Sequence, residues 1–255
     1  MDKNITFIIQ GPLNKYSINN IDNYLEYGNI IISHWKNDDL NLLKNVNKNI
    51  KIVTNKNVKI DNVFNKYNIY LQCLTTLSGL RNVNTEYSIK VRSDEYRTDF
   101  SMFVDKIFKN PNKIITDNVF FRSKKYAKYC ISDHCFGGKT EILLKSFENI
   151  KKKCEDGTYF KENYFLEEIL RPTKYWCGDK VYSPEQIIST EIIQSFGDDI
   201  DPKNSKEQMM KYFDLIRIKD MGKFIISQNH IKTNYITEES MGIIDILILT
   251  NINKL

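Results

Sequence analysis

The feature of this sequence that most restricts its fold is a series of short apolar segments early in the chain. Residues 5–9 form a nearly continuous apolar run that stops at Gln10-Gly11-Pro12, and residues 29–33 and 50–54 repeat the pattern. Strands buried on both faces have this composition, which is typical of parallel sheets. A helical pattern at 19–27 separates the first two segments. The order strand, helix, strand predicts an α/β fold with a mixed, mostly parallel sheet flanked by helices.

The remainder of the chain continues this alternation. We predict helices over residues 61–83, 100–108, 140–150 and 160–170 and from 183 onward, and strands over 87–92, within 113–122, and over 215–218 and 224–227. Residues 197–206 are polar and predict a loop. A chain of 255 residues, of which 41% are hydrophobic, fits a single domain with a sizeable core.

The charge pattern argues against nucleic acid as a partner. The net charge is +5, but the basic residues are dispersed and only Lys151-Lys152-Lys153 forms a run of three. Nucleic-acid-binding proteins more often carry a dense basic face. No apolar run is long enough to span a bilayer. Residues 242–255 could lie on a membrane surface, although packing on the domain is preferred, so we expect at most peripheral membrane association.

The cysteines indicate a reducing compartment. Five occur, at positions 73, 130, 135, 154 and 177, and none forms a Cys-x-x-Cys pair. This number and spacing disfavour a disulfide framework and a structural zinc site. Reduced thiols are typical of the cytoplasm. The run at 5–9 is too short for the core of a signal peptide, so we expect a cytoplasmic location.

The candidate functional segment is residues 87–95, where a strand-like alternation leads directly into two acids. Ser93 precedes Asp94 and Glu95, and Arg97 follows them. Adjacent carboxylates beside basic residues can hold a divalent metal against a phosphate. An exposed turn with solvated charges is the alternative interpretation.

The predicted strand order connects this segment to the start of the chain. The four early strands end at Gln10, Ser33, Thr54 and Arg92. In a parallel sheet these carboxyl ends lie along one edge, where ligands of α/β proteins bind. This placement favours a functional role for Asp94 and Glu95 over a solvated turn.

A second candidate segment runs from residue 131 to 139. Asp133 and His134 follow a strand-like pattern that we expect to break at Gly137-Gly138, directly before a helix. The two polar residues could bind an acceptor or supply a base for a hydroxyl nucleophile, or could simply form a turn. A glycine pair before a helix can accept a phosphate.

Three further residues have both a functional and a structural interpretation. Glu185 opens a predicted helix, where Ser183 caps the end and an acid also stabilises the helix dipole. His230 is a candidate third metal ligand, although a structural histidine is the preferred interpretation. Trp35 could stack on a base or sugar, but core aromatics are commoner.

The motifs together resemble a known family. They are ITFIIQGP at 5–12, IIISHW at 30–35, Gln72 with SGL at 78–80, KVRSD at 90–94, ISDHCFG at 131–137 and SPEQ at 183–186. In this order and spacing they are similar to the WavE-type lipopolysaccharide-synthesis proteins. The chain lacks the Gly-x-Gly-x-x-Gly, Walker and Gly-x-Ser-x-Gly motifs that would indicate other enzyme classes.

The resemblance implies a GT-A-like, Rossmann-type glycosyltransferase that uses a nucleotide-diphosphate sugar, with a UDP-sugar as the expected donor, and Mn²⁺ or Mg²⁺. The metal-binding Asp-x-Asp motif of such folds aligns with Ser93, Asp94 and Glu95, so that serine replaces its first acid. The metal ligands expected are therefore Asp94 or Glu95, with His230 as the candidate third ligand, or else the metal is dispensable. The resemblance also suggests polysaccharide synthesis, and the Asn-, Ile- and Lys-rich composition would suit a giant virus acting in its host's cytoplasm.

The resemblance also assigns the remaining site residues. The nucleotide would be held by the strand ends and their loops: Gln10, Gly11, Pro12, Ser33, Trp35, Gln72, Arg92, Ser93 and Asp94. Sugar or acceptor would contact His134, Gly137 and Gly138. Glu185 is the first choice for the catalytic base and Asp133 the second. Within a single domain spanning 1–255, residues 1–97 would form the donor half, 98–240 the acceptor half and 241–255 a tail.

Two alternatives remain open at this point. A sugar-nucleotide nucleotidyltransferase would share the sheet and the acids, but it should carry a Gly-rich basic loop after the first strand, and residues 10–13 do not. A non-catalytic nucleotide- or glycan-binding module predicts binding without turnover.

Overall fold

A seven-stranded sheet forms the centre of the computed structural model, which describes residues 4–44, 46, 50–58, 68–119, 128–160 and 183–226. Its strands are β1 Ile5–Gln10, β2 Asn29–Trp35, β3 Lys51–Asn55, β4 Tyr87–Arg92, β6 Ile114–Asp117, β7 Cys135–Lys139 and β8 Phe213–Ile216. Two short strands, β5 Glu95–Arg97 and β9 Phe224–Ile226, pair separately and antiparallel.

The sheet is mixed but mostly parallel, as predicted. Its order is β3-β2-β1-β4-β7-β6-β8. The pairs β1–β2, β1–β4, β2–β3 and β6–β8 are parallel, whereas β7 runs antiparallel to both of its neighbours. The predicted α/β class is therefore confirmed.

Helices cover both faces of this sheet. They are α1 Lys15–Tyr27, α2 Ile69–Leu80, α3 Ser101–Lys109, α4 Thr140–Glu155, α5 Pro184–Ser195 and α6 Ser205–Tyr212. Because successive strand residues point to opposite faces, Phe7 and Ile9 pack in one core with α1 and α3. Ile8 packs in the other core with α2, α4 and α5.

The start of α5 follows the local chemistry predicted from its sequence. The Ser183 hydroxyl accepts a hydrogen bond from the Gln186 amide, and the Gln186 side chain accepts one from the Ser183 amide. Pro184 occupies the first turn, where its missing N–H costs nothing. This capping box fixes the helix start.

Several boundaries differ from the prediction. Residues 205–212 form α6, which begins inside the predicted 197–206 loop. The described part of the predicted 61–83 helix, residues 68–83, contains α2, which ends at Leu80 rather than at residue 83. The chain does not break at Gly137-Gly138, because both residues lie inside β7. A Cβ on Gly137 would lie 2.8 Å from the Ser88 carbonyl oxygen, so a neighbouring strand requires the glycine.

Some predictions fall on residues outside the described ranges, and others concern the cysteines and the membrane. His230, the tail 241–255 and nearly all of the predicted 160–170 helix lie outside those ranges. Within them, Cys73, Cys130, Cys135 and Cys154 are free and buried. None of the helices described is long and apolar enough to cross a membrane.

Candidate active site

The carboxyl ends of three adjacent strands meet at one edge of the sheet. In the parallel register, Gln10 at the end of β1 lies opposite both Ser33 of β2 and Arg92 of β4. The Ser93 amide donates to the Gln10 carbonyl at 2.9 Å, and the Gly11 amide donates to the Ser33 carbonyl at 3.2 Å. The sequence-predicted residues 10, 33 and 92–94 are thus neighbours along this edge, which we call the strand-end edge.

Gly11 makes the turn after β1 possible. Its φ is +121°, a conformation that other residues rarely adopt. The Ser93 hydroxyl donates to the Pro12 carbonyl at 2.8 Å, and a Cβ on Gly11 would lie 2.8 Å from that hydroxyl. The Gly11–Pro12 turn is therefore packed directly against the residue before Asp94.

Buried polar side chains below the strand-end edge satisfy one another. The Ser33 hydroxyl donates to the Thr75 carbonyl at 2.6 Å and accepts from the Asn55 amide at 3.0 Å. The Gln10 amide donates to the Thr75 hydroxyl at 2.9 Å. These bonds connect β1, β2 and β3 to α2, so that the three strand ends are held at fixed positions.

Asp38 joins the loops that follow β1 and β2. One carboxylate oxygen accepts from the Leu13 amide at 3.0 Å and from the Trp35 amide at 2.9 Å. The same oxygen lies 3.5 Å from Nδ1 of His34. We did not predict this role from the sequence. Its only signal there was an acid within the polar loop after a buried strand.

Charged side chains form a continuous chain that runs inward from the strand-end edge. Asp94 accepts two hydrogen bonds from Arg92, from Nε at 2.9 Å and from a terminal nitrogen at 2.8 Å. Arg92 Nε also lies 3.3 Å from Glu95, whose other oxygen lies 2.7 Å from Arg97. Arg97 in turn contacts Asp117 at 2.5 Å. Glu95, Arg97 and Asp117 are fully buried.

Histidine 134 connects this chain of charges to Asp133. Its Nδ1 is hydrogen-bonded to Glu95, and its Nε2 lies 3.5 Å from Asp133. Burial alone would raise the pKa of Glu95, but His134 and Arg97 beside it hold that pKa well below its usual range. Glu95 is therefore an ionised carboxylate.

Asp133 is also held as an anion. The Gln72 amide donates to its carboxylate at 3.0 Å, and the Lys90 ammonium donates to its carbonyl. Burial opposes ionisation, but His134, Lys90 and Arg92 lower the pKa of Asp133. Burial also lowers the pKa of Lys90 to about 8. The predicted residues Gln72, Asp133 and His134 thus lie beside the Arg92 end of β4.

The described residues do not present a ready-made metal centre. Within the described ranges, no group of three or more His, Cys, Asp or Glu side chains could hold a metal ion. Of the predicted ligands, Asp94 is engaged by Arg92, and Glu95 by Arg97 and His134, while His230 lies outside the description. The assignment of a metal to these residues stays a prediction.

The remaining predicted residues lie on other elements. Glu185 is in the first turn of α5. Its helix approaches the segment before Asp133, since the Gln186 amide donates to the Lys128 carbonyl and the Ser189 hydroxyl to the Tyr129 carbonyl. Gly137 and Gly138 are buried in β7, and contact of these three residues with substrate stays a prediction.

Comparison with known families decides the relationship suggested by the motifs. Residues 5–212 match the family model described as WavE lipopolysaccharide synthesis. The chain belongs to this family. The WavE match spans every described element through α6 and includes the whole strand-end edge. It says nothing about a viral source, which stays a prediction. No curated protein matches the chain.

Two solved structures show only distant likeness. One is glucosyl-3-phosphoglycerate synthase from Mycobacterium tuberculosis, in complex with Mn²⁺, UDP and phosphoglyceric acid, with 10% identity over 56% of this chain and a TM-score of 0.34. This chain covers 58% of that protein. The other is HddC from Yersinia pseudotuberculosis, in complex with GMP-PN, with 11% identity over 55% of this chain and 78% of that one, and a TM-score of 0.36.

Proposed function

We propose that this protein is a glycosyltransferase of surface-polysaccharide synthesis. It transfers a sugar from a nucleotide-diphosphate donor, with a UDP-sugar expected, to a hydroxyl of a glycan acceptor. The observation that carries the proposal is the register that brings Gln10, Ser33 and Arg92 together at the carboxyl ends of adjacent parallel strands. Such edges are where α/β sheets bind nucleotides, and membership of a lipopolysaccharide-synthesis family supports a sugar as the transferred group.

The donor nucleotide is assigned to the two loops that Asp38 connects. The first loop carries Gly11 and Pro12, and the second begins directly after Trp35, the last residue of β2. Their backbone is fixed before ligand arrives, so binding costs less ordering entropy than it would on a free loop. Arg92 and Lys90 supply positive charge near the position of the diphosphate.

A divalent metal fits the described residues poorly. Magnesium and manganese need carboxylate oxygens directed at the ion. Both oxygens of Asp94 accept from Arg92, and the Glu95 carboxylate is buried between Arg97, Arg92 and His134. We therefore assign no catalytic step to Mn²⁺ or Mg²⁺.

The base for the acceptor hydroxyl is assigned to Asp133. Its carboxylate is ionised and held by Gln72, beside Lys90 and Arg92. In this mechanism the acceptor oxygen gives its proton to Asp133 and bonds to the anomeric carbon. The bond between that carbon and the diphosphate breaks, and its electron pair leaves with the diphosphate. Glu185, the first choice from sequence, is the competing assignment.

A panel of nucleotide sugars tests the proposal. Each donor is added with and without Mn²⁺, and the melting temperature and the release of free nucleotide diphosphate are measured. A donor that binds the folded chain raises the melting temperature. We expect at least one donor to do so and to be hydrolysed slowly. Asp133→Asn and Glu185→Gln, measured in parallel, rank the two bases. If no nucleotide sugar shifts the melting temperature, the proposal is wrong.

A further inference from the structure

The Arg92–Asp94 pair is the most solvent-exposed part of the charged chain. Both side chains are 25% exposed, whereas the Glu95–Arg97 pair behind them is completely buried. The pair lies at the end of β4, next to Gln10 and the Gly11–Pro12 turn. A ligand that approaches the strand-end edge would meet these two side chains before the rest of the chain of charges.

The geometry of the pair is that of an arginine bound to an oxyanion. Nε and a terminal nitrogen of Arg92 each donate to a different oxygen of Asp94, at 2.9 and 2.8 Å. A phosphate group offers two oxygens with similar spacing, and arginine binds carboxylates and phosphates through this same two-pronged contact. The Asp94 carboxylate therefore occupies the place that a phosphate of the donor could take.

The same contacts make Asp94 a poor metal ligand. Coordination of a divalent ion would need at least one of its oxygens to leave Arg92, and Glu95 cannot substitute because its oxygens contact His134, Arg92 and Arg97. The cations already in place are on the protein, on Arg92 at the strand-end edge and on Lys90 and Arg97 behind it.

We propose that Arg92 binds the diphosphate of the donor directly and that Asp94 is the counter-ion it releases, rather than a metal ligand. Donor binding then needs no divalent metal. This inference rests on the proposed function, because it concerns the diphosphate of that donor.

The two roles for Asp94 predict opposite effects of one substitution. If Asp94 competes with the diphosphate for Arg92, Asp94→Asn removes the competing charge and strengthens binding, by about three- to tenfold. If Asp94 holds a metal, the same substitution removes a ligand and weakens binding in the presence of Mn²⁺. Removal of the guanidinium in Arg92→Gln should weaken binding by about tenfold or more.

The chain contains a matched control. Arg217 and Asp220 form the same kind of two-pronged pair, with the nearer contact at 2.9 Å, and Asp220 is 24% exposed. No described contact joins it to the strand-end edge. Asp220→Asn should leave the affinity for the diphosphate unchanged. This control shows whether a change in Asp94→Asn is specific to Asp94 or follows from the loss of any arginine–aspartate pair.

The experiment is isothermal titration of UDP, GDP, ADP, CDP and dTDP into the wild type and the three variants, first with EDTA and then with Mn²⁺. We expect at least one diphosphate to bind the wild type in EDTA. The same diphosphate should bind Asp94→Asn more tightly and Arg92→Gln more weakly.

Binding that appears only with Mn²⁺, or that Asp94→Asn weakens, would overturn the inference while leaving the glycosyltransferase proposal intact. If no diphosphate binds under either condition, the proposed function falls and this inference with it. The comparison of EDTA with Mn²⁺ on the wild type needs no variant to fold.

Discussion

The carboxylate of Glu95 and the guanidinium of Arg97 are 2.7 Å apart, and neither side chain is exposed to solvent. Both residues belong to β5, whose pairing with β9 directs them into the interior. The ring of Phe224 from β9 lies 4.8 Å from the guanidinium carbon of Arg97. Through Glu95 and His134 this buried pair is connected to Asp133. The two-stranded β5–β9 sheet is therefore connected to the candidate active site through buried side chains.

Removal of Arg97 should destabilise the protein strongly. Arg97→Leu leaves the buried Asp117 without its cation and removes one of the cations beside Glu95, and breaking a buried pair in this way typically costs about 3–5 kcal/mol. Urea unfolding measures the change. The exposed Arg81–Glu148 pair is the control, and Arg81→Leu should change stability by less than about 1 kcal/mol. Equal effects of the two substitutions would show that the Arg97 pair contributes no more than a surface pair.

Lys90 should give the protein a distinctive stability profile in alkaline solution. Burial lowers its pKa from 10.5 to about 8 in the folded chain, so between these pH values the unfolded chain binds more protons. The free energy of unfolding, relative to Lys90→Met, should therefore rise from pH 8 to 10.5, by up to roughly 3 kcal/mol, and be flat below pH 8.

Denaturant unfolding at a series of pH values measures the Lys90 effect. Lys51→Met, which removes an exposed lysine of β3, should run parallel to the wild type. A Lys90→Met profile that also runs parallel would mean that Lys90 is not held in a desolvated environment.

Gly137 should be required for packing. A Cβ at this position would lie 2.8 Å from the Ser88 carbonyl oxygen and 2.8 Å from a side-chain carbon of Ile89. Because backbone cannot move aside cheaply, Gly137→Ala should cost about 2 kcal/mol or more. At Gly157 no atom of the described residues lies within 4 Å of such a Cβ, so the φ of +70° is the obstacle to substitution and Gly157→Ala should cost about 1 kcal/mol. If thermal unfolding shows Gly137→Ala to be the milder change, the steric explanation is wrong.

Asp38 should affect nucleotide binding indirectly, by holding two loops in position, and not by contacting the nucleotide itself. Asp38→Ala removes the acceptor shared by the Leu13 and Trp35 amides and releases both loops. We expect about tenfold weaker binding of the nucleoside diphosphate that the wild type prefers, because ordering the loops then opposes binding. Asp39→Ala is the matched control, since the side-chain hydrogen bonds described for Asp39 lie within its own turn. If calorimetry gives equal affinities for Asp38→Ala and Asp39→Ala, Asp38 does not act by positioning the loops.

The early strands and their shared edge could be predicted because apolar content and strand order determine them. Gln10, Ser33 and Arg92 follow buried runs directly, and parallel pairing then places them side by side. That the Glu95 side chain points into the interior could not be predicted in this way. Its orientation depends on the pairing of β5 with β9, which is more than 120 residues away in the sequence.

Two local features were also beyond sequence reasoning. The glycine pair in β7 resembles a helix-start signal, but it is required by close approach of the neighbouring strands. Helix α6 buries only Ser205 and Tyr212. With so few buried residues its apolar periodicity is weak, and a polar stretch of this kind is easily taken for loop.

The most direct test of the account is amide hydrogen exchange of the whole chain with and without each nucleoside diphosphate. At least one of them should slow exchange in peptides covering residues 11–14, 35–38 and 93–94, at the strand-end edge. Unchanged exchange in these peptides with every nucleoside diphosphate, or protection confined to β6 and β8, would contradict the assignment of a nucleotide site to this edge.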